Sequence, residues 1–193
     1  VGHAGTGVEV GDEGRDGWPD LHMTGWRAQE NAAGHPHERL LRNLGANAPG
    51  QFEDVTLAAG VFLASTFCRA DGHACLPRSF SSAFTDLDDD GWPDLIVASD
   101  FGSSRLFWNQ GDGTFVDGTD AAGVGTDENG MGSTVGDFDG DGRLDWFVSS
   151  IDDRDSCDAI LCGWGVTGNR LYRNLGGRRF EDATDAIGVR RGG

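Results

Sequence analysis

The chain has 193 residues, with 32 acidic and 15 basic side chains and a formal net charge of -17. Such an acidic surface repels nucleic acid and anionic membranes, so neither is expected as a partner. No run of residues approaches the roughly 20 apolar residues of a membrane-spanning helix, so no membrane span is predicted. The length suits one domain or a few small repeats.

An aspartate-rich loop of the pattern D-x-[D/G]-x-D-G-x-x-D occurs three times, at residues 12–20, 86–94 and 137–145. Carboxylates at alternate positions, followed by a glycine that lets the chain turn sharply, are typical of calcium loops. We predict side-chain ligands at positions one, three, five and nine and a main-chain carbonyl ligand at position seven. The predicted ligand residues are Asp12, Gly14, Asp16, Trp18 and Asp20; Asp86, Asp88, Asp90, Trp92 and Asp94; and Asp137, Asp139, Asp141, Arg143 and Asp145.

These loops differ from the EF-hand type, which needs a glutamate at position twelve and a helix on each side. Position twelve is here Met23, Val97 or Val148, and the flanking segments are typical of strands. The first loop has Gly14 at position three and therefore lacks one carboxylate. We expect up to three Ca²⁺ ions, with the first site the weakest or completed by water.

Each loop is followed by the same two sequence motifs in the same order, R-L-[L/F/Y]-x-N-x-G and then F-x-D-x-T-x-x-x-G-V. These motifs recur with a period of about 65 residues. In the second copy we predict strands at 81–85, 95–99, 105–109 and 115–119. A repeated four-stranded antiparallel unit with polar turns predicts an all-β protein made of β-propeller blades. Three blades form an incomplete ring. A β-sandwich is the alternative, but it does not explain why each loop has the same place in its repeat.

The repeats set the predicted boundaries. Residues 1–61 form the first blade-like repeat, 62–80 a cysteine-containing insertion, 81–125 the second repeat, and 126–193 the third, with a further cysteine-containing insertion at 150–168. Aromatic residues at repeated strand positions are expected to pack between blades; they are Phe52, Phe115, Phe180, Trp108 and Tyr172. Trp26 and Trp164 lie in insertions and are better candidates for contact with a partner.

The aspartate-rich loop and the two recurring sequence motifs resemble integrin-like FG-GAP or VCBS repeats, of the kind found in cartilage acidic protein and in ASPIC/UnbV-type bacterial secreted proteins. The resemblance covers nearly all of the chain outside the insertions. It implies blades of a propeller with roughly six to eight blades, calcium in the loop between the first two strands of each blade, and an extracellular or cell-surface location. Three blades and Gly14 depart from that pattern.

Four cysteines lie in two close pairs, Cys68 with Cys75 and Cys157 with Cys162. Local disulfides within each insertion are the preferred interpretation, because calcium loops imply an oxidising compartment. Crossed bridges remain open. A zinc site built from Cys68, His73 and Cys75 is a further alternative, although no fourth ligand is evident nearby.

No catalytic signature stands out: the sequence has no G-x-S-x-G elbow, no P-loop and no haem-attachment motif. His35 and His37 are interpreted as solvent-facing. The sequence therefore favours a calcium-binding repeat module with a structural, binding or adhesion role. Its expected partners are other copies of itself or further blades of a longer chain, and a protein or glycan ligand. The alternatives are a subunit of a self-assembling extracellular fibre or ring that docks blade to blade, and a non-catalytic part of a carbohydrate-active enzyme.

Overall fold

The computed structural model describes residues 5–25, 38–63, 78–152 and 168–190, and these residues form three four-stranded antiparallel sheets. We call the sheets blades 1, 2 and 3. Blade 1 contains β1 (Gly5–Gly11), β2 (Asp20–Gly25), β3 (Arg39–Asn43) and β4 (Phe52–Asp54). Blade 2 contains β5 (Ser79–Thr85), β6 (Asp94–Ser99), β7 (Arg105–Asn109) and β8 (Phe115–Asp117). Blade 3 contains β9 (Gly130–Gly136), β10 (Asp145–Ser150), β11 (Arg170–Gly176) and β12 (Arg179–Asp182).

Each blade is a meander in which every strand pairs with the next one along the chain. The aspartate-rich loop connects the first strand to the second in all three blades, and its ninth residue is the first residue of the second strand. The described part of the chain contains no closed barrel. The predicted all-β class with four-stranded, blade-like repeats is therefore confirmed.

The fourth strand is shorter than predicted, because β8 ends at Asp117 and a helical turn, α1 (Thr119–Ala122), follows. The Asp117 carboxylate accepts hydrogen bonds from the Thr119 main-chain N–H at 3.0 Å and from its hydroxyl at 2.6 Å, which starts the turn. Gly123 ends it with φ of 81°, a left-handed conformation that favours glycine. The same D-x-T and Gly-Val motifs flank a second helical turn, α2 (Thr184–Ile187), in the third blade. A further short 3-10 turn lies at Gly45–Asn47.

The hydrophobic core consists of two clusters, one on each side of blade 2. Leu95 and Val97 of β6 pack against blade 1, whereas Ile96 and Ala98 pack against blade 3. Every residue of β6 is therefore buried. This explains why the middle of the strand, residues 95–98, is a continuous apolar run, whereas β2 alternates between buried and half-buried residues over positions 20–24.

The prediction that the repeated aromatics pack between blades holds for four of them. Trp108, Phe115, Tyr172 and Phe180 are all buried in the two clusters. For Phe52 the prediction was wrong, because this side chain is 40% exposed. Phe115 and Phe180 each lie against the preceding blade, and no described residue covers the corresponding face of blade 1.

No helix among the described residues is long and apolar enough to cross a membrane. All four cysteines, His35, His37, His73, Trp26 and Trp164 lie outside the described residues. The disulfide prediction, its zinc alternative and the proposed partner-contacting tryptophans therefore remain predictions.

Candidate metal centres

The three loops share one backbone scaffold, in which the aspartate at position one closes the turn. The Asp86 carboxylate accepts hydrogen bonds from the N–H groups of Asp90 at 3.2 Å and Gly91 at 2.8 Å. Asp12 and Asp137 accept the corresponding pairs of bonds in their own loops. The glycine at position six has φ between 85° and 90° in every loop, a conformation that other residues rarely adopt.

The aspartate at position nine fixes each loop to the third strand of its blade. Asp94 accepts one hydrogen bond from the N–H of Leu87 in the loop, at 3.0 Å, and another from the N–H of Asn109 at the end of β7, also at 3.0 Å. Asp20 and Asp145 make the same two kinds of bond. All three of these aspartates are buried.

In the second and third loops, three carboxylates converge. One oxygen each from Asp86, Asp88 and Asp94 lies within 4.8 Å of the others, and the same holds for Asp137, Asp139 and Asp145. Oxygens that bind one Ca²⁺ at roughly 2.3–2.6 Å lie at most about 5 Å apart, so both groups fit a calcium ion in spacing and in donor chemistry.

The aspartate at position five of the second and third loops does not join the convergent carboxylates. The first oxygen of Asp90 and of Asp141 accepts a bond from the N–H at position seven, at 2.8 and 2.9 Å. The second oxygen faces an arginine: Arg178 for Asp90 and Arg143 for Asp141. Neither aspartate belongs to the convergent groups. Direct ligation by position five, and by the carbonyl of position seven, therefore stays a prediction.

The first loop has no group of three convergent carboxylates among the described residues. Gly14 occupies position three, and a Cβ built on it meets no heavy atom within 4 Å. The ligand is missing because of the sequence alone, since the backbone of the loop keeps the shape of the other two.

Burial raises the pKa of Asp94 to about 7. The neighbouring carboxylates of Asp88 and Asp90 push in the same direction, and the two backbone hydrogen bonds to Asp94 oppose them only in part. A bound cation would reverse this balance by favouring the charged form. The second loop therefore concentrates negative charge that its own environment does not fully stabilise.

An arginine from the next blade lies against this charge. The Arg178 guanidinium donates to Asp88 and, at 3.3 Å, to Asp90, and it lies over the Trp108 ring with 5.1 Å to the centroid. Sequence reasoning missed this contact. Arg178 is not part of either repeated motif, so no sequence pattern could have indicated this contact.

Two further sets of polar residues were also missed. Asn109 and Asn174 donate across to the loop of the preceding blade, although the sequence marked them only as members of a repeated word. Between blades 2 and 3, buried Asp127 accepts hydrogen bonds from Ser104 at 2.7 Å and Tyr172 at 3.2 Å. Burial raises the pKa of Asp127, and these two bonds lower it.

The stacked four-stranded sheets and their shared loop define a β-propeller-type repeat module. Residues 86–148, from the second loop to β10, match the family model described as FG-GAP-like repeat. This stretch, which is less than half of the chain, is thus similar to an FG-GAP-like repeat and contains the second and third loops, while the first loop, at residues 12–20, has the same pattern outside it.

Comparison with solved structures finds a lectin of Agrocybe aegerita, described by its specific recognition of non-reducing terminal N-acetylglucosamine. The two chains share 21% identity with a TM-score of 0.42, over 89% of this chain and 36% of the lectin chain. This chain thus spans little more than a third of the length of that one. Comparison with curated proteins gives no match.

Proposed function

We propose that this chain is a calcium-binding propeller-type module that acts outside the cell by binding or adhesion rather than by catalysis. The observation that supports it most directly is the convergence of three carboxylates in each of two equivalent loops, within 4.8 Å of one another. Hard oxygen donors suit Ca²⁺ better than transition metals, many of which favour nitrogen and sulfur ligands.

Calcium would have a structural role here. The net charge of -17 opposes compaction, and much of that charge lies in the loops. Asp86, Asp88 and Asp94 would hold one ion, and Asp137, Asp139 and Asp145 a second. Each ion would offset repulsion among its ligands, so metal binding would add to the stability of the folded blades.

The extracellular location rests on the same chemistry. Calcium modules outside the cell typically bind with dissociation constants of about 10⁻⁴–10⁻³ M, and loops of that affinity would be occupied where calcium is abundant, outside the cell. Repeats of the FG-GAP-like type, which residues 86–148 match, typically occur in extracellular proteins, and this supports the proposed location.

Calorimetric titration of the whole chain with Ca²⁺, and separately with Mg²⁺, tests the proposal. We expect two calcium sites of similar strength and weaker or no binding of Mg²⁺, because Mg²⁺ demands a compact octahedral shell. At a calcium concentration about 100 times the dissociation constant, each site should add about 2.7 kcal/mol to the free energy of unfolding.

Asp88→Asn and Asp139→Asn should each remove or greatly weaken one site. Asp89→Asn is the matched control: Asp89 is next to Asp88, lies outside the convergent group, and has φ of 62°, which asparagine tolerates. If calcium neither releases heat nor raises the unfolding temperature above that in chelator, the proposal is wrong. Equal effects of Asp88→Asn and Asp89→Asn would show that binding reflects only the overall charge.

A further inference from the structure

The contact between neighbouring blades is built twice from equivalent residues. We call the side of a blade that faces the preceding blade its leading face, and the opposite side its trailing face. The leading face of blade 2 packs Leu95, Val97, Phe107 and Phe115 against blade 1. The leading face of blade 3 packs the equivalent residues, Trp146, Val148, Tyr172 and Phe180, against blade 2.

A close approach of the two backbones accompanies this packing. A Cβ built on Gly60 of blade 1 would lie 2.9 Å from the Phe115 carbonyl oxygen of blade 2. The equivalent Gly123 of blade 2 would place a Cβ 3.2 Å from the Phe180 carbonyl oxygen of blade 3. Glycine at this position therefore lets each trailing face approach the phenylalanine of the next blade.

A hydrogen bond also recurs. The Asn109 side-chain amide donates to the main-chain carbonyl of Glu13 at 3.0 Å, and Asn174 donates to that of Leu87 at 2.7 Å. Glu13 and Leu87 are both at position two of the loop in the preceding blade. Each internal interface thus has an apolar contact, a glycine contact and an asparagine contact.

Blade 1 presents the same leading face without a described neighbour. Phe52 is 40% exposed, against 5% for Phe115 and 7% for Phe180. Val8 and Val10, which pair with Met23 and Leu21 across the sheet, extend the apolar surface and are 59% and 57% exposed. The side-chain amide of Asn43, equivalent to those of Asn109 and Asn174, donates to the Pro19 carbonyl of its own blade at 3.1 Å and to no other acceptor among the described residues.

Blade 3 presents the matching trailing face. Ile187 is 52% exposed, whereas the equivalent Ala59 and Ala122 are each only 1% exposed. A Cβ built on Gly188, the equivalent of Gly60 and Gly123, meets no heavy atom within 4 Å. Phe138, at position two of the third loop, is 52% exposed. The chain therefore carries both halves of its own internal interface.

We propose that the leading face of blade 1 binds a second copy of this chain through the trailing face of that copy's blade 3. In this contact Phe52 lies against Gly188, and Asn43 donates to the carbonyl of Phe138. Ile187 is larger than alanine and adds apolar area, so the contact between copies is not an identical repeat of the internal one. Two different faces meet, so the assembly either closes into a ring or grows as a filament.

The test is the mass of the chain in calcium-containing buffer, measured by sedimentation over a range of concentrations. The wild type is expected to form dimers or larger species that increase with concentration. Phe52→Asp, on the leading face, and Ile187→Asp, on the trailing face, should each give a monomer with an unchanged circular dichroism spectrum. Leu57→Asp is the matched control: Leu57 is 57% exposed, and the equivalent positions are already aspartate, at Asp120 and Asp185.

Mixing the two variants is the decisive step. Each variant keeps one intact face, so the mixture should form a dimer and stop there, which a general loss of folding would not produce. A wild-type chain that stays monomeric overturns the proposal and leaves the leading face of blade 1 to another blade or partner. Assembly that persists in both variants, or that Leu57→Asp abolishes equally, also overturns it. Calcium binding and assembly are measured separately, so either can fail without the other.

Discussion

The side-chain amide of Asn109 joins two blades, donating one hydrogen bond of 3.0 Å to the Glu13 carbonyl in the loop of blade 1 and one of 2.9 Å to Pro93 in its own loop. Its own oxygen accepts the Gly111 N–H at 2.9 Å. One buried asparagine thus holds a hairpin, its own aspartate-rich loop and the aspartate-rich loop of the preceding blade. Asn174 repeats the arrangement between blades 3 and 2.

Replacing Asn109 with alanine should destabilise the chain more than replacing Asn43. Asn43 makes the hairpin bond and the bond to its own loop, but not the bond between blades. Asn109→Ala should lower the free energy of unfolding by about 1–3 kcal/mol more than Asn43→Ala, because it leaves a buried carbonyl without its donor. Urea unfolding in the Phe52→Asp background measures the difference without a contribution from assembly. Equal losses would show that the bond between blades adds nothing.

A single substitution in the first loop should create a third calcium site. Gly14→Asp restores the missing carboxylate at position three, where the built Cβ meets no neighbour within 4 Å. Calorimetry should show one additional site, or a first site strengthened on the order of tenfold, because affinity in such loops rises with ligand charge. Gly14→Ala is the control, since it adds the Cβ without the ligand. A Gly14→Asp protein with the same stoichiometry and affinities as Gly14→Ala would show that the first loop cannot hold an ion.

The loops and the strand order could be read from the sequence because they depend on local chemistry. A glycine with positive φ at position six and a carboxylate at position one close the turn in any copy, whatever surrounds it. The exposure of Phe52 could not be predicted in this way. Phe52 lies in the same sequence motif as Phe115. The two side chains differ in exposure only because no described blade neighbours Phe52.

Contacts between repeats could not be predicted either, because they join residues that are far apart in the sequence. Arg178 reaches Asp88 across 90 residues of sequence, and nothing in the local pattern of either residue indicates the other. The helical turn at Thr119 was missed because four residues are too few to show a helical period. Its D-x-T word carried the capping chemistry, which could have indicated that the strand ends at Asp117.

The buried Glu38 should make stability depend on pH. Burial raises its pKa to about 7 from 4.5, and the Ser79 hydroxyl, which donates to it at 3.0 Å, opposes the shift only in part. The folded state thus holds a proton that the unfolded state releases between about pH 4.5 and 7. Through this group, stability is greatest below pH 4.5, falls as pH rises to about 7, and then levels off, by on the order of 3 kcal/mol in all.

Glu38→Gln tests this dependence, because glutamine keeps an oxygen that can accept from Ser79 but has no proton to lose. The variant should gain stability over the wild type as pH rises through the window, with the difference constant above about pH 7. Chemical unfolding of both proteins at a series of pH values measures it. A difference independent of pH would mean that Glu38 titrates alike in the folded and unfolded states.

Arg178 should act on the second loop in opposite directions with and without metal. Its guanidinium, bonded to Asp88 and Asp90, partly neutralises the loop when no ion is bound. Arg178→Ala should therefore lower the unfolding temperature in chelator, while it raises the calcium affinity of that loop because a competing positive charge is gone. Calorimetry and thermal unfolding, each with and without calcium, give both values.

The adjacent Arg179 provides the matched control. Arg179→Ala removes the same formal charge one residue further along, from an exposed position that makes no hydrogen bond to the loop among the described contacts. A general charge effect would give similar shifts for both variants, weakened by added salt. Only the direct contact predicts that Arg178→Ala lowers the unfolding temperature in chelator and at the same time raises the calcium affinity. If calcium affinity falls in Arg178→Ala, the arginine supports the metal-binding geometry of the loop instead of competing with the ion.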